Sequence, residues 1–173
     1  LFAVEYSLYR LLVAQGCVPD VVVGHSIGEF VAAVAAGVLD VETAMALVCE
    51  RARAMEATMP LPSPGSMYAL KASVSTAEAA IQAAGVSGTI VVAAINGPES
   101  IVVAGENAAL KSMLDALPDG TKMTRVRATH ADHSPLMAPV AEALAAKAAE
   151  LYRMRPPSSP TCIWASTVGT SPE

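Results

Sequence analysis

The chain has 173 residues and a net charge of −5, and it is 53% hydrophobic, 16% charged and 4% aromatic. The apolar mass is mostly Ala, Val and Leu, enough for a packed core of small side chains, and the acidic balance argues against a nucleic-acid partner. No apolar run approaches the roughly 20 residues of a membrane span, and Glu5 and Arg10 near the start argue against a signal peptide. Cys17, Cys49 and Cys162 are odd in number and far apart. They are expected to be reduced, buried thiols of a cytoplasmic protein, neither a disulfide frame nor a metal site. The opening at Leu1 without methionine, and the close on Ser171-Pro172-Glu173 straight after a strand-like run, read as a fragment of a longer chain.

In chain order, Leu1, Val4, Leu8 and Leu11/Leu12 recur at helical spacing over Leu1 to Gln15, and Gly16 is a natural stop. Val18 to Val23 is a nearly all-apolar strand, as expected in a parallel sheet covered on both faces. The segment Gly24-His25-Ser26-Ile27-Gly28-Glu29 follows and leads into a helix from Phe30 to Ala36, ended by Gly37. Strand, sharp turn and helix with a serine at the apex form the Gly-x-Ser-x-Gly nucleophile elbow, whose tight backbone would clash with side chains at the glycines. Asp40 caps a helix from Val41 to about Thr58, and Pro60, Pro62 and Pro64 mark a linker.

Beyond the linker the pattern is strand (Met67 to Ala72), helix (opened by a Ser75-Thr76-Ala77-Glu78 capping box and running to Ala84) and strand (Thr89 to Ile95). An Asn96-Gly97-Pro98 turn, a strand (Ser100 to Ala104), a helix (Asn107 to Leu117), a Pro118-Asp119-Gly120 turn and a strand (Met123 to Arg127) complete it. That order is the split βαβ, ferredoxin-like pattern. It predicts an α/β fold with a hydrolase-like parallel-sheet core (1–64 and 128–173) and an inserted small subdomain (65–127). The remainder reads as a loop around His130 and His133, an alanine-rich helix from Ala138 to Tyr152, a proline-rich loop from Arg153 to Pro160, and a last strand from Cys162 to Ser166.

A serine hydroxyl needs a base to attack at neutral pH, and the chain has three histidines. His25 adjoins Ser26, so its ring is expected to point elsewhere, which leaves His130 and His133. Arg51, in the second half of its helix, is either a surface arginine paired with a glutamate or a guanidinium fork for a substrate carboxylate; spacing does not choose. Glu29 suits the start of a helix, and Asp132 either orients a histidine or sits solvated in the loop. A serine esterase would need an acid between serine and histidine, for which Asp115, Asp119 and Asp132 are available. A non-catalytic spacer domain is the other alternative.

Four stretches in order resemble the acyltransferase domain of polyketide synthases, and the related malonyl-CoA:acyl carrier protein transacylases of fatty acid synthesis. They are Gly24 to Glu29, Cys49 to Met55, Ile95 to Gly105 and His130 to Met137. The resemblance implies a serine–histidine dyad with Ser26 as nucleophile and His133 as base, Arg51 as the partner of the malonyl carboxylate, and the Ile27 N–H as half of an oxyanion hole. The family's Gly-Gln-Gly-rich segment, which supplies the other half, is absent, as is its C-terminal part. The fragment would then lack both ends of the domain. Ile27 and His130 fit the pattern of malonyl-using members, while Asp132 replaces the family's phenylalanine. The implied reaction takes malonyl from malonyl-CoA to the phosphopantetheine thiol of an acyl carrier protein. No resident cofactor or metal is implied, and a ketosynthase is the expected neighbour in the parent chain.

Overall fold

The computed structural model describes residues 1–58, 63–154 and 162–165. In chain order the elements are α1 (Phe2–Ala14), β1 (Val21–Val23), α2 (Gly28–Ala35), α3 (Val41–Thr58), β2 (Gly65–Leu70), α4 (Val74–Ala83), β3 (Ile90–Gly97), β4 (Ser100–Glu106), α5 (Asn107–Asp115), β5 (Met123–Arg125), α6 (Ala138–Met154) and β6 (Ile163–Ala165). They fall into two compact units, Leu1–Arg53 with the chain from Ala143 onward, and Ala54–Glu142. No described helix is long and apolar enough to cross a membrane.

In the first unit β1 pairs in parallel with β6, Val22 opposite Trp164. α2 packs on α1 around Phe2, Val31 and Ala44, with Tyr6, Tyr9, Phe30 and Val34 against them. Three expectations change here. The buried face of α1 is Phe2, Tyr6 and Tyr9, whereas the expected aliphatic stripe lies outward, with Leu1 77% and Val4 70% exposed. The helix carries two apolar stripes, and the aromatic one, with Phe2 and Tyr6 rings stacked 6.2 Å apart, meets α2. β1 is not covered on both faces either: Val21 and Val23 on one face are 51% and 62% exposed, while Val22 on the other is half-buried. Cys17 is exposed and Cys49 and Cys162 are half-buried, so the expected burial of the thiols does not hold; all three are free.

The second unit is a four-stranded antiparallel sheet of order β3-β4-β2-β5, the ferredoxin-like arrangement. α4 and α5 cover one face, enclosing Leu70, Ile101, Val103, Leu110 and Met113. The other face carries Met67 and Ala104, against which Ala131, Val126 and Leu136 pack. A Cβ at Gly65 would meet Leu136 Cδ1 at 2.5 Å and Gly105 O at 2.7 Å. Ala131 and Leu136 thus seat on this sheet, within the compact unit Ala54–Glu142.

Local chemistry also differs from expectation. The cap of α4 is Ser73, whose Oγ accepts from Thr76 N at 3.2 Å, and Ser75 lies inside the first turn. The β3–β4 turn is Pro98-Glu99, since Gly97 and Ser100 already pair across the sheet. Asp40 does cap α3, accepting from Thr43 N through Oδ1 at 2.6 Å. α6 continues through Arg153 and Met154, which were expected in the loop. Pro60, Pro62, residues 155–160 and Ser166 lie outside the described residues.

Candidate active site

Ser26 sits at the first corner of a turn closed by Gly28 N donating to His25 O at 3.0 Å. Its φ is +53°, while Ile27 has returned to φ −62° and ψ −25°, so the positive angle falls on the first corner alone, as in a type II′ turn. Any residue but glycine is strained there. The neighbouring glycines play unequal parts. A Cβ at Gly24 would collide with the backbone N and Cα of Glu29 and lie 2.7 Å from Gly28 C, whereas one at Gly28 would meet only Glu5 Oε2, at 3.8 Å. Only Gly24 is demanded by the close approach of strand and helix.

The elbow opens α2 directly. Among the described residues the Ile27 N–H has no acceptor, so it is available to a developing oxyanion near the Ser26 hydroxyl. Glu29 does more than favour a helix start: its Oε2 accepts from Trp164 Nε1 at 2.8 Å, tying α2 to β6. Glu5 Oε2, near Gly28, is buried without a partner among the described residues. The position suits a carboxylate, since a helix N-terminus carries partial positive charge. His25 is exposed, and Arg51 is half-buried on α3 in the same unit as Ser26. A surface pairing of the kind considered for Arg51 is made by Arg53, 3.7 Å from Glu50.

His130, Asp132 and His133 belong to the second unit, the last two at the corners of the turn Ala131–Ser134 and His130 just before it. Ser134 N donates to Ala131 O at 3.2 Å and its Oγ to the same oxygen at 2.7 Å. His133 is the second corner, at φ +63°, a position that a type II turn usually gives to glycine. The turn is fixed from below by buried Ala131 and Ser134, while the His133 side chain is exposed. His130 is the opposite case. It is 9% exposed, its Nδ1 lies 2.8 Å from Thr129 Oγ1, and its Nε2 is buried without a hydrogen-bond partner among the described residues. Asp132 is half-buried. Among the described residues no three His, Cys, Asp or Glu side chains gather as a metal site. The left-handed backbone at Ser26 and His133, the orphaned His130 nitrogen and the Glu29–Trp164 bond carry no sequence signature beyond the motifs themselves.

The acyl transferase domain family matches residues 1–172. Mycoketide-CoA synthase of Mycobacterium tuberculosis is 44% identical over 157 residues, which cover 90% of this chain and 4% of that protein. The acyltransferase domain from the second module of the salinomycin polyketide synthase superposes with a TM-score of 0.80 at 39% identity, over 95% of this chain and 37% of that one. A malonyl-transacylase solved in complex with a type II polyketide synthase acyl-carrier protein gives a TM-score of 0.85 at 26% identity, over 99% of this chain and 55% of that one. The chain thus spans a small part of the synthase and about half or less of the solved chains. It belongs to the acyl transferase domain family, in the form found in polyketide synthases and malonyl transacylases.

Proposed function

We propose that this domain moves a malonyl group from malonyl-CoA, through an ester on Ser26, to the phosphopantetheine thiol of an acyl carrier protein during polyketide synthesis. His133 takes the Ser26 proton as Oγ attacks the thioester carbonyl. The Ile27 N–H donates to the tetrahedral oxyanion, where losing one such donor costs roughly 10²–10³ in rate. The intermediate collapses with cleavage of the carbon–sulfur bond, and His133 returns the proton to the departing CoA thiolate. In the second half His133 takes the proton of the carrier thiol, the thiolate attacks the malonyl ester, and Ser26 Oγ leaves and recovers the proton. Arg51 pairs with the free malonyl carboxylate through its planar fork. His130 Nε2, buried and without a partner among the described residues, is the donor or acceptor left for the acyl group, with Asp132 at the first corner of the turn that follows.

The observation that carries this reading is backbone strain. Among the described residues, Ser26 and His133 alone of the non-glycine residues have positive φ. Such strain persists where function requires a side chain, and these are the two residues assigned to the dyad. The carrier partner is supported by the relative solved in complex with one. The test is intact-protein mass spectrometry of the parent protein after exposure to malonyl-, methylmalonyl- and acetyl-CoA. A malonyl adduct absent from Ser26→Ala, and released to a carrier thiol but not to water, is expected. An adduct that survives Ser26→Ala overturns the nucleophile, and rapid release to water favours an esterase.

A further inference from the structure

We propose a second, non-catalytic anion site on the antiparallel unit, between α5 and the β5 edge of the sheet, that takes a phosphate ester. A cavity of about 410 Å³ lies there, lined by Ser66, Tyr68, Asn107, Lys111, Asp115 and Arg125 among others. A hydrogen-bond chain runs along its wall with its direction fixed at each step. Asn107 Nδ2 donates to Ser63 O at 3.1 Å, which turns Oδ1 toward Ser66. Ser66 Oγ donates to that Oδ1 at 2.5 Å and therefore accepts from Arg125 Nη2, at 2.9 Å. Ser66 is 6% exposed, so the acceptor that orients the guanidinium is itself locked in the fold.

The chain ends on the exposed guanidinium of Arg125. Arg125 is held by a neutral hydroxyl, and neither it nor Lys111 is ion-paired among the described residues. The Ser66–Asn107 bond joins β2 to α5 and the Arg125–Ser66 bond adds β5; beyond that one bond, most of the guanidinium's N–H donors are unused among the described residues. Lys111, one turn along α5 from Asn107, brings a second cation to the cavity. A planar fork beside a point charge suits a tetrahedral oxyanion, which accepts bidentate donation from the first and Coulomb attraction from the second. Asp115 lines the same cavity and opposes an anion, so the site binds weakly and reversibly.

Phosphate esters reach this protein in two forms, the coenzyme A substrate and the phosphopantetheine arm of the carrier. That identification rests on the acyltransferase reading; the oxyanion chemistry does not. The test is an NMR titration of the protein with inorganic phosphate, phosphopantetheine and coenzyme A, in wild type and in Arg125→Gln, Lys111→Gln and Asp115→Asn. Shifts should centre on Ser66, Asn107, Lys111 and Arg125. Arg125→Gln should weaken phosphate binding about tenfold to a hundredfold. Lys111→Gln, outside the hydrogen-bonded chain, should weaken it without changing the fold, and Asp115→Asn should tighten it. Tighter binding of coenzyme A than of phosphopantetheine assigns the site to the substrate, and the reverse order to the carrier. An absent response, or one indifferent to Lys111→Gln, overturns the site. Ser26 acylation followed in the same samples separates the two readings, because lost phosphate binding with intact acylation refutes this site alone.

Discussion

Replacing Gly24 with alanine tests whether the elbow is held by backbone contact. The added Cβ would meet only backbone, Glu29 N and Cα and Gly28 C at 2.7 Å. No flexible side chain can yield, so β1 and α2 must separate. Overpacking of this kind costs about 1–3 kcal/mol, offset by about 0.4–1 kcal/mol from the stiffer unfolded chain. The net loss is about 1–2 kcal/mol, or about 2–8 °C in Tm at this length. Gly28→Ala supplies the internal control. Its Cβ would find Glu5 Oε2 at 3.8 Å and nothing nearer, at the first residue of α2. There alanine gains up to about 1 kcal/mol of helix propensity. Thermal unfolding of the two variants should therefore move in opposite directions. Ser26 acylation should also fall about a hundredfold in Gly24→Ala, since misplacing a nucleophile by about 1 Å costs that much. Equal Tm shifts in the two variants, or a Gly24→Ala protein with wild-type stability, would refute the argument.

Ser73→Ala should lower the urea midpoint by the equivalent of about 1 kcal/mol through loss of the α4 cap, while Ser75→Ala should stay within about 0.5 kcal/mol. Arg51→Ala should raise acetyl loading relative to malonyl loading in a competition assay read by mass; unchanged preference would remove Arg51 from carboxylate binding. His133→Ala and His133→Gly should both abolish acyl transfer. The glycine variant should unfold at the higher temperature of the two, by the equivalent of about 1 kcal/mol, because it relieves the left-handed strain that alanine keeps.

What could be read in advance was what local chemistry dictates. The strand, helix, strand, strand, helix, strand order of the second unit follows from alternation and turn residues, and the sheet forms as that order requires. The elbow follows from its two glycines and serine, although only Gly24 proved to be sterically necessary. Errors arose where two local solutions compete. α1 offers an aliphatic and an aromatic stripe, and the choice of Phe2, Tyr6 and Tyr9 is made by α2, which no periodicity encodes. Ser73 and Ser75 both resemble caps, and the extended backbone at Ser73 (ψ +164°) decides between them. The seating of Leu136 and Ala131 on Gly65 and Met67 is likewise a contact between residues far apart in the chain, which no local pattern encodes. The relay from Asn107 through Ser66 to Arg125 was illegible for the same reason, since β2, α5 and β5 contribute one residue each.

Two turns of different type converge on the same backbone solution. At the elbow the positive angle falls on the first corner, at the histidine turn on the second, and each time the occupant is a reactive side chain and not glycine. A left-handed non-glycine residue costs about 1–2 kcal/mol, so each position is stable only because its surroundings over-determine it. For Ser26 those surroundings are the backbone packed on Gly24 and the Glu29–Trp164 bond behind the turn. For His133 they are the doubled donation from Ser134 to Ala131 O and the buried Ala131 beneath. On the proposed function the left-handed corner has a chemical use in both cases. It sets the side chain at the corner of a tight turn whose backbone is fixed on both sides, with Ser26 half-buried and His133 exposed. Glycine would relax each turn and remove the reactive group with it, and alanine would keep the strain while losing the chemistry. The retention of strain at these two positions is therefore a stronger pointer to their shared role than their exposure or neighbours alone.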